Sequence, residues 1–499
     1  MRIAPLRLVL PATLSVAIVS GIALLLAPPT HADGPIYFEP HHRVSGIGIE
    51  RDDISHDLLD IRTERMIESQ TFSILRDPQA IPGAKRITGN AQLQTFFRDA
   101  GARSGLPPSL IEAIAYLESW GDAHAESPSG PRGIMQISGA TARVMGLKVT
   151  VVTRYKITRD RVAYKTKRGA TRYKTVTHKT PYVVSSRDDR LIPERAIPAA
   201  AVYLANLEKK FGGRDWAVFA YHCGPGCVAE MMDLTRKARG IPNDQITVPR
   251  MFFSASPAWN RELYAAISQQ MQRDYSPTYY FRVRRAEQLL ALYRSSPKDF
   301  EALSATYKSD FILPSQRAPH RLSVWLRRDD LVFHNDDDIR TDAGRRLVHA
   351  LDHPAYFGYA LNLTSASSEV AALSQASPAA LGTLMYIAFE TRRLDEALAR
   401  KGEKFVPLPV TSLVEAQDSL VRKGEALSHS SGQVFDIDYA GLPPGELECL
   451  RFVLDDLGWD GYLGFIDEGR ENIHIGCAPS TRDFFATVFG EALAMKSTE

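Results

Sequence analysis

The sequence predicts a mainly α chain that carries a β-hairpin insertion and ends in a smaller α+β part. Three observations carry this reading. Apolar residues recur at helical spacing in LIEAIAYLES and again from Pro193 to Phe211. Between them, residues 148–187 are rich in Val, Thr and Tyr, alternate as strands do, and break at Gly169, which predicts one or two hairpins. Near the C-terminal end, RENIHIGC reads as a strand preceded by a turn.

At 499 residues the chain suggests about three domains, on a prior of ~150 residues each. Its hydrophobic content of 44% supports proper cores, and a net charge of +2 argues against nucleic acid as a partner. Residues 1–32 read as an export signal: Arg2 and Arg7, the apolar run LSVAIVSGIALLLA, then Thr30-His31-Ala32 as a small-x-small cleavage site. The alternative is a retained anchor in the inner membrane, because the run approaches the length of a short spanning helix. All four cysteines lie beyond it, as Cys223 with Cys227 and Cys449 with Cys477. An even count in an exported chain predicts disulfides, with unlinked thiols as the alternative.

From Asp33 to about Gln92 a short helix is expected around HDLLDIRTERMIES, without a motif. Helical spacing resumes in AQLQTFFRDAGARSG, and Pro107-Pro108 starts the next helix. There Leu110, Ile111, Ile114 and Ala115 face a core, and the next core-facing position is Glu118. Burial without a partner raises a carboxyl pKa and keeps the proton near neutrality, as a general acid requires. Alternatively, Glu118 pairs with Arg132 or Arg143.

Ser119 follows, then SPSGPRGIMQIS with Gly133, Met135 and Gln136, then TARVMGL, and later AYHCGPG from Ala220 to Gly226. This order resembles the lytic transglycosylases of the soluble (Slt-like) type. Their pattern is a helix ending in Glu-Ser, a G-h-M-Q turn with h apolar, and A-Y-N-A-G-P-G; His222 and Cys223 stand where the family has Asn and Ala. The resemblance covers about Ser104 to Val228. It implies a lysozyme-like helical domain, here 93–275 with the insertion inside it, and a periplasmic location. It also implies that Glu118 is the single catalytic acid/base, with Ser119, Met135, Gln136 and Tyr221 lining a glycan cleft. The implied substrate is peptidoglycan, cut at the MurNAc-GlcNAc bond to give a 1,6-anhydromuramyl end. Because the sugar's own C6 hydroxyl attacks, neither a second carboxylate nor a cofactor is needed there.

The insertion is basic, with Asp160 its only acid from Val149 to Ser186. It reads as a flap over the groove, a contact to acidic wall polymers, or a solvated hairpin. Further on, YYFRVRRAEQLLALYRSSPKDFEALSATYKSDFI and HRLSVWL resemble a degenerate lysin motif (LysM) over 278–327: strand, helix from Glu287, turn at Ser295 to Pro297, helix from Lys298, closing strand. That implies binding of N-acetylglucosamine-containing glycans; the alternative is a helical linker. Residues 328–404 read as a helical linker region.

The last stretch, 405–499, holds a second constellation. LSHSSGQVFDIDY places His429 and Asp436 seven apart, and RENIHIGC places Glu471 three before His474. Two histidines and a carboxylate make a three-ligand Zn2+ site with an open position, and an adjacent glutamate can act as base. Strand alternation requires Glu471 to sit in the turn before the strand. Surface histidines beside a strand-end Asp are the alternative. The spacing resembles the zinc D-alanyl-D-alanine peptidases, whose pattern is S-x-H-x-x-G-x-x-x-D followed by E-x-x-H. The resemblance implies His429, Asp436 and His474 as ligands, Glu471 as the catalytic base, and peptide stems as substrate. The family's arginine after T-S-L is replaced by Glu415, with Arg422 the nearest downstream.

Overall fold

The computed structural model describes residues 37–44, 56–165, 171–238, 241, 245–271, 276–308, 332–342, 345–351, 354–363, 374–398, 404–423, 427–467 and 471–496. The expected leader, 1–32, lies outside them.

Four helices open the first body: α1 (His56–Leu75), α2 (Ala80–Gly89), α3 (Ala91–Ser104) and α4 (Pro108–Ser119). Asn90 caps α3 by accepting from the backbone N–H of Gln92 and Leu93, and Pro108 starts α4 where its missing N–H costs nothing. After the short α5 (Gly139–Val144), strands β1 (Val149–Lys165) and β2 (Thr171–Asp188) pair antiparallel as a single long ribbon. Helices α6 (Pro193–Phe211), α7 (Arg214–Cys223), α8 (Pro225–Lys237), α9 (Val248–Ser254), α10 (Arg261–Met271), α11 (Tyr279–Ser295) and α12 (Pro297–Lys308) complete it. Their apolar faces share one core that includes Phe97, Ile114, Trp216, Phe219 and Phe281.

The expected strand at the start of the LysM-like segment is instead the first turns of α11. Tyr279, Val283, Ala286 and Leu290 recur at helical spacing and are buried, and α11 packs against α1, α4 and α7. The segment's expected closing strand, HRLSVWL, lies outside the described residues.

The second body is α+β. Its five-stranded sheet runs in the order β4 (Tyr359–Leu361), β6 (Leu408–Ser412), β7 (Val434–Asp438), β9 (Asn472–Cys477), β8 (Leu463–Asp467). The β4–β6 pair is parallel and the others are antiparallel. Strands β3 (Val348–His349) and β5 (Gln375–Ala376) form a separate pair. The helices are α13 (Asp336–Asp342), α14 (Pro378–Ala397), α15 (Gln417–Lys423), α16 (Pro444–Trp459) and α17 (Arg482–Lys496).

Residues 328–404 therefore do not act as a linker over their described part. Helix α14 is buried on almost every side, apolar nearly all round from Pro378 to Phe389 and polar from Glu390 onward, and β4 is an edge of the sheet. A Cβ at Gly382 would stand 1.9 Å from the Phe485 carbonyl oxygen, so only glycine lets α14 approach α17 this closely. Phe38 and Val44 join this second core, and the Val44 N–H donates to Tyr386 Oη at 2.8 Å.

Nor do the cysteines form disulfides. Cys449 and Cys477 are fully buried and fill the second core as small apolar groups, and burial pushes the Cys477 thiol up. Cys223 and Cys227 sit on two successive helices that part at Gly224, each packed against the first core. Among the described residues no helix is long and apolar enough to cross a membrane.

The two bodies belong to one compact unit, Tyr37–Glu499. Arg62 of α1 is fully buried, with Nη2 2.6 Å from Asp456 Oδ1 and Nε 3.3 Å from Asp460 Oδ1, while its guanidinium lies over the Phe253 ring. Removing one partner of a buried ion cluster leaves charge uncompensated. Arg62→Ala is expected to lower unfolding stability by about 3–5 kcal/mol, read by urea denaturation; a loss within 0.5 kcal/mol, the usual scale of a surface change, would show that the cluster does not join the bodies.

Candidate functional site

Helix α4 ends abruptly. Trp120 takes a left-handed conformation (φ 53°) and its N–H bonds to Tyr116 O at 2.8 Å, after which Gly121 turns the chain back with its N–H on Ala115 O. That stop leaves Glu118 on the last turn, its side chain only 15% exposed. Neither arginine weighed from sequence is its partner: Arg132 pairs with Asp188 and Glu126, and Arg143 points to solvent from α5.

The partner comes from α11. Tyr279 Oη donates to Glu118 Oε1 at 2.6 Å, and His222 Nδ1 lies 3.8 Å from the same oxygen. The His222 ring stacks on Tyr279, centroids 4.5 Å apart and nearly parallel. Burial first, and the neighbouring Glu118 charge second, push the Tyr279 phenol well above its ordinary value, so it keeps its proton and remains a donor. Sequence reading missed Tyr279 because it placed YYFRVRR on a strand; the helical spacing of Tyr279, Val283, Ala286 and Leu290 was the signal that would have found it.

A tight loop lies against Ser119 at the end of α4 and against Tyr221 of α7. Arg132 and Ile137 exchange backbone hydrogen bonds, and Gln136 is held at φ 42° with its Nε2 donating to Ala125 O and Gly133 O. Ser119 Oγ is buried, 2.8 Å from Ile134 O, and Tyr221 Oη donates to Met135 O at 2.9 Å. The structure thus gathers Glu118, Ser119, Met135, Gln136 and Tyr221 around one loop, and the polar groups of Ser119, Gln136 and Tyr221 hold that loop in shape. Behind it, Arg190 grips the carbonyls of Gly130 and Ile137 and forms a two-point pair with Asp188.

The second constellation also comes together. Asp436 of β7 and His474 of β9 are register partners, and His429 arrives from the turn Leu427–Ser431. Asp436 Oδ1 is 2.7 Å from His474 Nδ1 and 3.2 Å from His429 Nε2, and one ligand atom from each residue lies within 4.8 Å of the others. The outer nitrogens are held by the protein: His429 Nδ1 donates to Leu413 O at 2.6 Å, and His474 Nε2 is 3.0 Å from Ser428 Oγ. Burial lowers the His429 pKa, but the Asp436 carboxylate outweighs it and holds the ring up at about 9. Burial likewise raises Asp436, yet the His429 charge and hydrogen bonds from both rings leave it well below the carboxylate range. Two nitrogens and one oxygen converging with fixed outer bonds fit a zinc ion. Glu471 stands in the turn just before β9, exposed and at φ 63°, where strand alternation required it. Arg422 is exposed on α15, while Glu415 pairs with Lys423.

Residues 95–164 and 166–242 match the family Transglycosylase SLT domain. The resemblance to lytic transglycosylases is borne out over that stretch. Peptidoglycan transglycosylase gp16 of Escherichia phage T7 is 33% identical over 132 residues, covering 26% of this chain and 8% of its own. Membrane-bound lytic murein transglycosylase F 2 of Alkalilimnicola ehrlichii is 27% identical over 158 residues, covering 30% of this chain and 26% of its own. The chain therefore spans under a third of the length of either relative. A solved structure of an inactive mutant of the lytic transglycosylase Slt from Pseudomonas aeruginosa aligns over 41% of this chain and 25% of its own at 18% identity, with a TM-score of only 0.24.

Gly133 is where this site tolerates least change. Its φ is +78°, and a Cβ there would stand 1.9 Å from the Arg190 carbonyl oxygen. Gly133→Ala is expected to cost about 1–3 kcal/mol in urea denaturation; unchanged stability would mean the loop is not locked against Arg190.

Proposed function

We propose that the chain is a peptidoglycan lytic transglycosylase that cleaves the MurNAc-GlcNAc glycosidic bond and leaves a 1,6-anhydromuramyl end, with Glu118 as the acid/base. The observation that carries this reading is a largely buried carboxylate at a helix end, held through one oxygen by Tyr279 and next in sequence to Ser119, which bonds to Ile134 O in the loop of Met135 and Gln136. The match to the Transglycosylase SLT domain over 95–164 and 166–242 supports it. In the first half-reaction Glu118 gives its proton to the glycosidic oxygen as the bond from that oxygen to the anomeric carbon breaks; the departing sugar leaves as an alcohol. In the second, the C6 hydroxyl of the same muramyl residue attacks that carbon and Glu118 takes its proton, which restores the acid. Tyr279 keeps its hydrogen bond to Oε1 throughout, so the second oxygen is the one that meets substrate. Its role is to position and stabilise the carboxylate after the proton has left. Substrate of this kind places the active protein in the periplasm, free or held at the inner membrane.

A second reading concerns the C-terminal body, and the convergence of His429, Asp436 and His474 favours it. We propose that these three residues hold Zn2+ and that the body acts on peptide stems. A zinc ion polarises a peptide carbonyl and lowers the pKa of water. Leu413 O and Ser428 fix which ring nitrogens face the ion, and Glu471 is the residue proposed to take the proton.

Mass spectrometry of soluble products from purified sacculi tests the first reading. Wild-type protein should release anhydro-ended muropeptides. Glu118→Gln should reduce that release by about a hundredfold or more with the fold intact, and Tyr279→Phe should lower kcat by about tenfold with little change in KM. Normal release by Glu118→Gln would remove the assignment. For the second reading, zinc titration should raise the Tm of wild-type protein, and His429→Ala should abolish the rise. Peptide-cleaved products should vanish with a chelator while anhydro ends persist; cleavage indifferent to the chelator would sink the metal role.

A further inference from the structure

The ribbon β1–β2 has two chemically different faces. Ile157 pairs with Lys179, Arg159 with Thr177, Arg161 with Thr175 and Ala163 with Tyr173. Two-residue alternation therefore puts Ile157, Arg159, Arg161, Lys179 and Tyr173 on one face, with Tyr155 beside them. No acid lies among them. Asp160, the one acid of the ribbon's described middle, is on the opposite face with its carboxylate 3.3 Å from His178 Nε2.

Lys156 and Lys174 put positive charge on the opposite face as well, but this acid-free face also leaves large apolar groups in water. Tyr155, Ile157 and Tyr173 are 58%, 56% and 58% exposed, and the Arg161 guanidinium lies 4.7 Å over the Tyr173 ring. Cations alone would suit any polyanion. An exposed aliphatic group gains nothing against a hydrated glycan or a sugar-phosphate backbone, but it gains by entering an acyl boundary. Tyrosine is the side chain that settles at headgroup level, and arginine and lysine meet the phosphates there.

We propose that this face of the ribbon docks on an anionic phospholipid surface, with Arg159, Arg161 and Lys179 on headgroup phosphates and Ile157 between the two tyrosines in the interface. The ribbon's root makes this consequential. Asp189 accepts from the Lys148 N–H and from Arg187 and Arg195, while Arg190 next to it holds the carbonyls of Gly130 and Ile137. Strand β1, of 17 residues, reaches about 55 Å, so docking sets the height and tilt of the Met135–Gln136 loop above the lipid. This inference stands apart from the proposed glycan chemistry, since it concerns only binding.

The test is sedimentation of Tyr37–Glu499, the compact unit that holds both cores, with vesicles of phosphatidylcholine alone or mixed equally with phosphatidylglycerol. Omitting the N-terminal apolar run removes the other lipid-seeking segment. Binding should require phosphatidylglycerol and weaken with salt. The triple variant Arg159→Glu, Arg161→Glu, Lys179→Glu should lose at least about tenfold in affinity. Ile157→Ser with Tyr173→Ser should lose several-fold, and Lys156→Glu with Lys174→Glu on the opposite face should lose less than the triple variant by a clear margin. Thermal unfolding of all variants should match wild type because these side chains are solvated. Binding that ignores lipid charge, equal losses from both faces, or retention on purified sacculi without vesicle binding would each overturn the proposal.

Discussion

The hydrogen bond from Tyr279 to Glu118 ties the chemistry of the first body to its packing. Its two residues lie 161 positions apart, on α11 and α4, and α11 reaches α4 only because both are seated in the same core. The interface between these helices carries a second polar clamp, the ion pair of buried Glu112 with Arg294. Apolar faces alone tolerate sliding. Two partly buried polar contacts resist it, because a slip leaves buried Glu112 or the Tyr279 hydroxyl without its partner. Helix α11 thus sets the position of the carboxylate rather than merely covering it, and His222, stacked on Tyr279, inherits its place from the same helix.

A similar logic joins the two bodies. Arg62 lies on α1, which packs on α11, and its charge is met by Asp456 and Asp460 around the end of α16. Phe252 of α9 packs tilted against Trp459 at that end, with centroids 4.4 Å apart. A guanidinium fully withdrawn from water persists only where carboxylates are fixed beside it. The cluster therefore specifies one arrangement of α1 against α16. An apolar contact of the same area leaves the arrangement free to drift.

The sequence made the local elements around Glu118 legible because each carries its own signal. Pro107-Pro108 starts α4, Gly212 follows α6, and alternation of Val, Thr and Tyr marks the ribbon. The spacing of His429, Asp436 and His474 also anticipated that these three converge, since β7 and β9 pair in the register that sets Asp436 opposite His474, while Glu471 stands exposed in the turn before β9. What failed were the readings that needed tertiary context. YYFRVRR has aromatic and β-branched residues that suit a strand, yet Tyr279, Phe281 and Val283 are buried by neighbouring helices that the local sequence does not display. Helix α14 looked like linker because its first three turns are apolar on nearly all sides and show no amphipathic stripe, and the pairing of β4 with β6 joins residues about fifty positions apart. The even cysteine count suggested cross-links, but Cys449 and Cys477 serve as small core residues.

The outer contacts of the two histidines bear on the metal site proposed for the second body. A buried Asp between two imidazoles could exist simply as an ion pair, but such a pair recovers little of the cost of removing its charges from water. Buried ring nitrogens need partners on either account, so what matters is the direction that the outer bonds impose on each ring. Here His429 Nδ1 is committed to Leu413 O and His474 Nε2 to Ser428, so each ring is turned with its remaining nitrogen toward the same carboxylate oxygen. Fixing both rings costs side-chain freedom and is useful where one cation must meet three donors at once. The fold supplies that constraint from three separate places, the end of β6, the turn before β7 and the β7–β9 register, and it is their agreement on one point that favours the proposed metal.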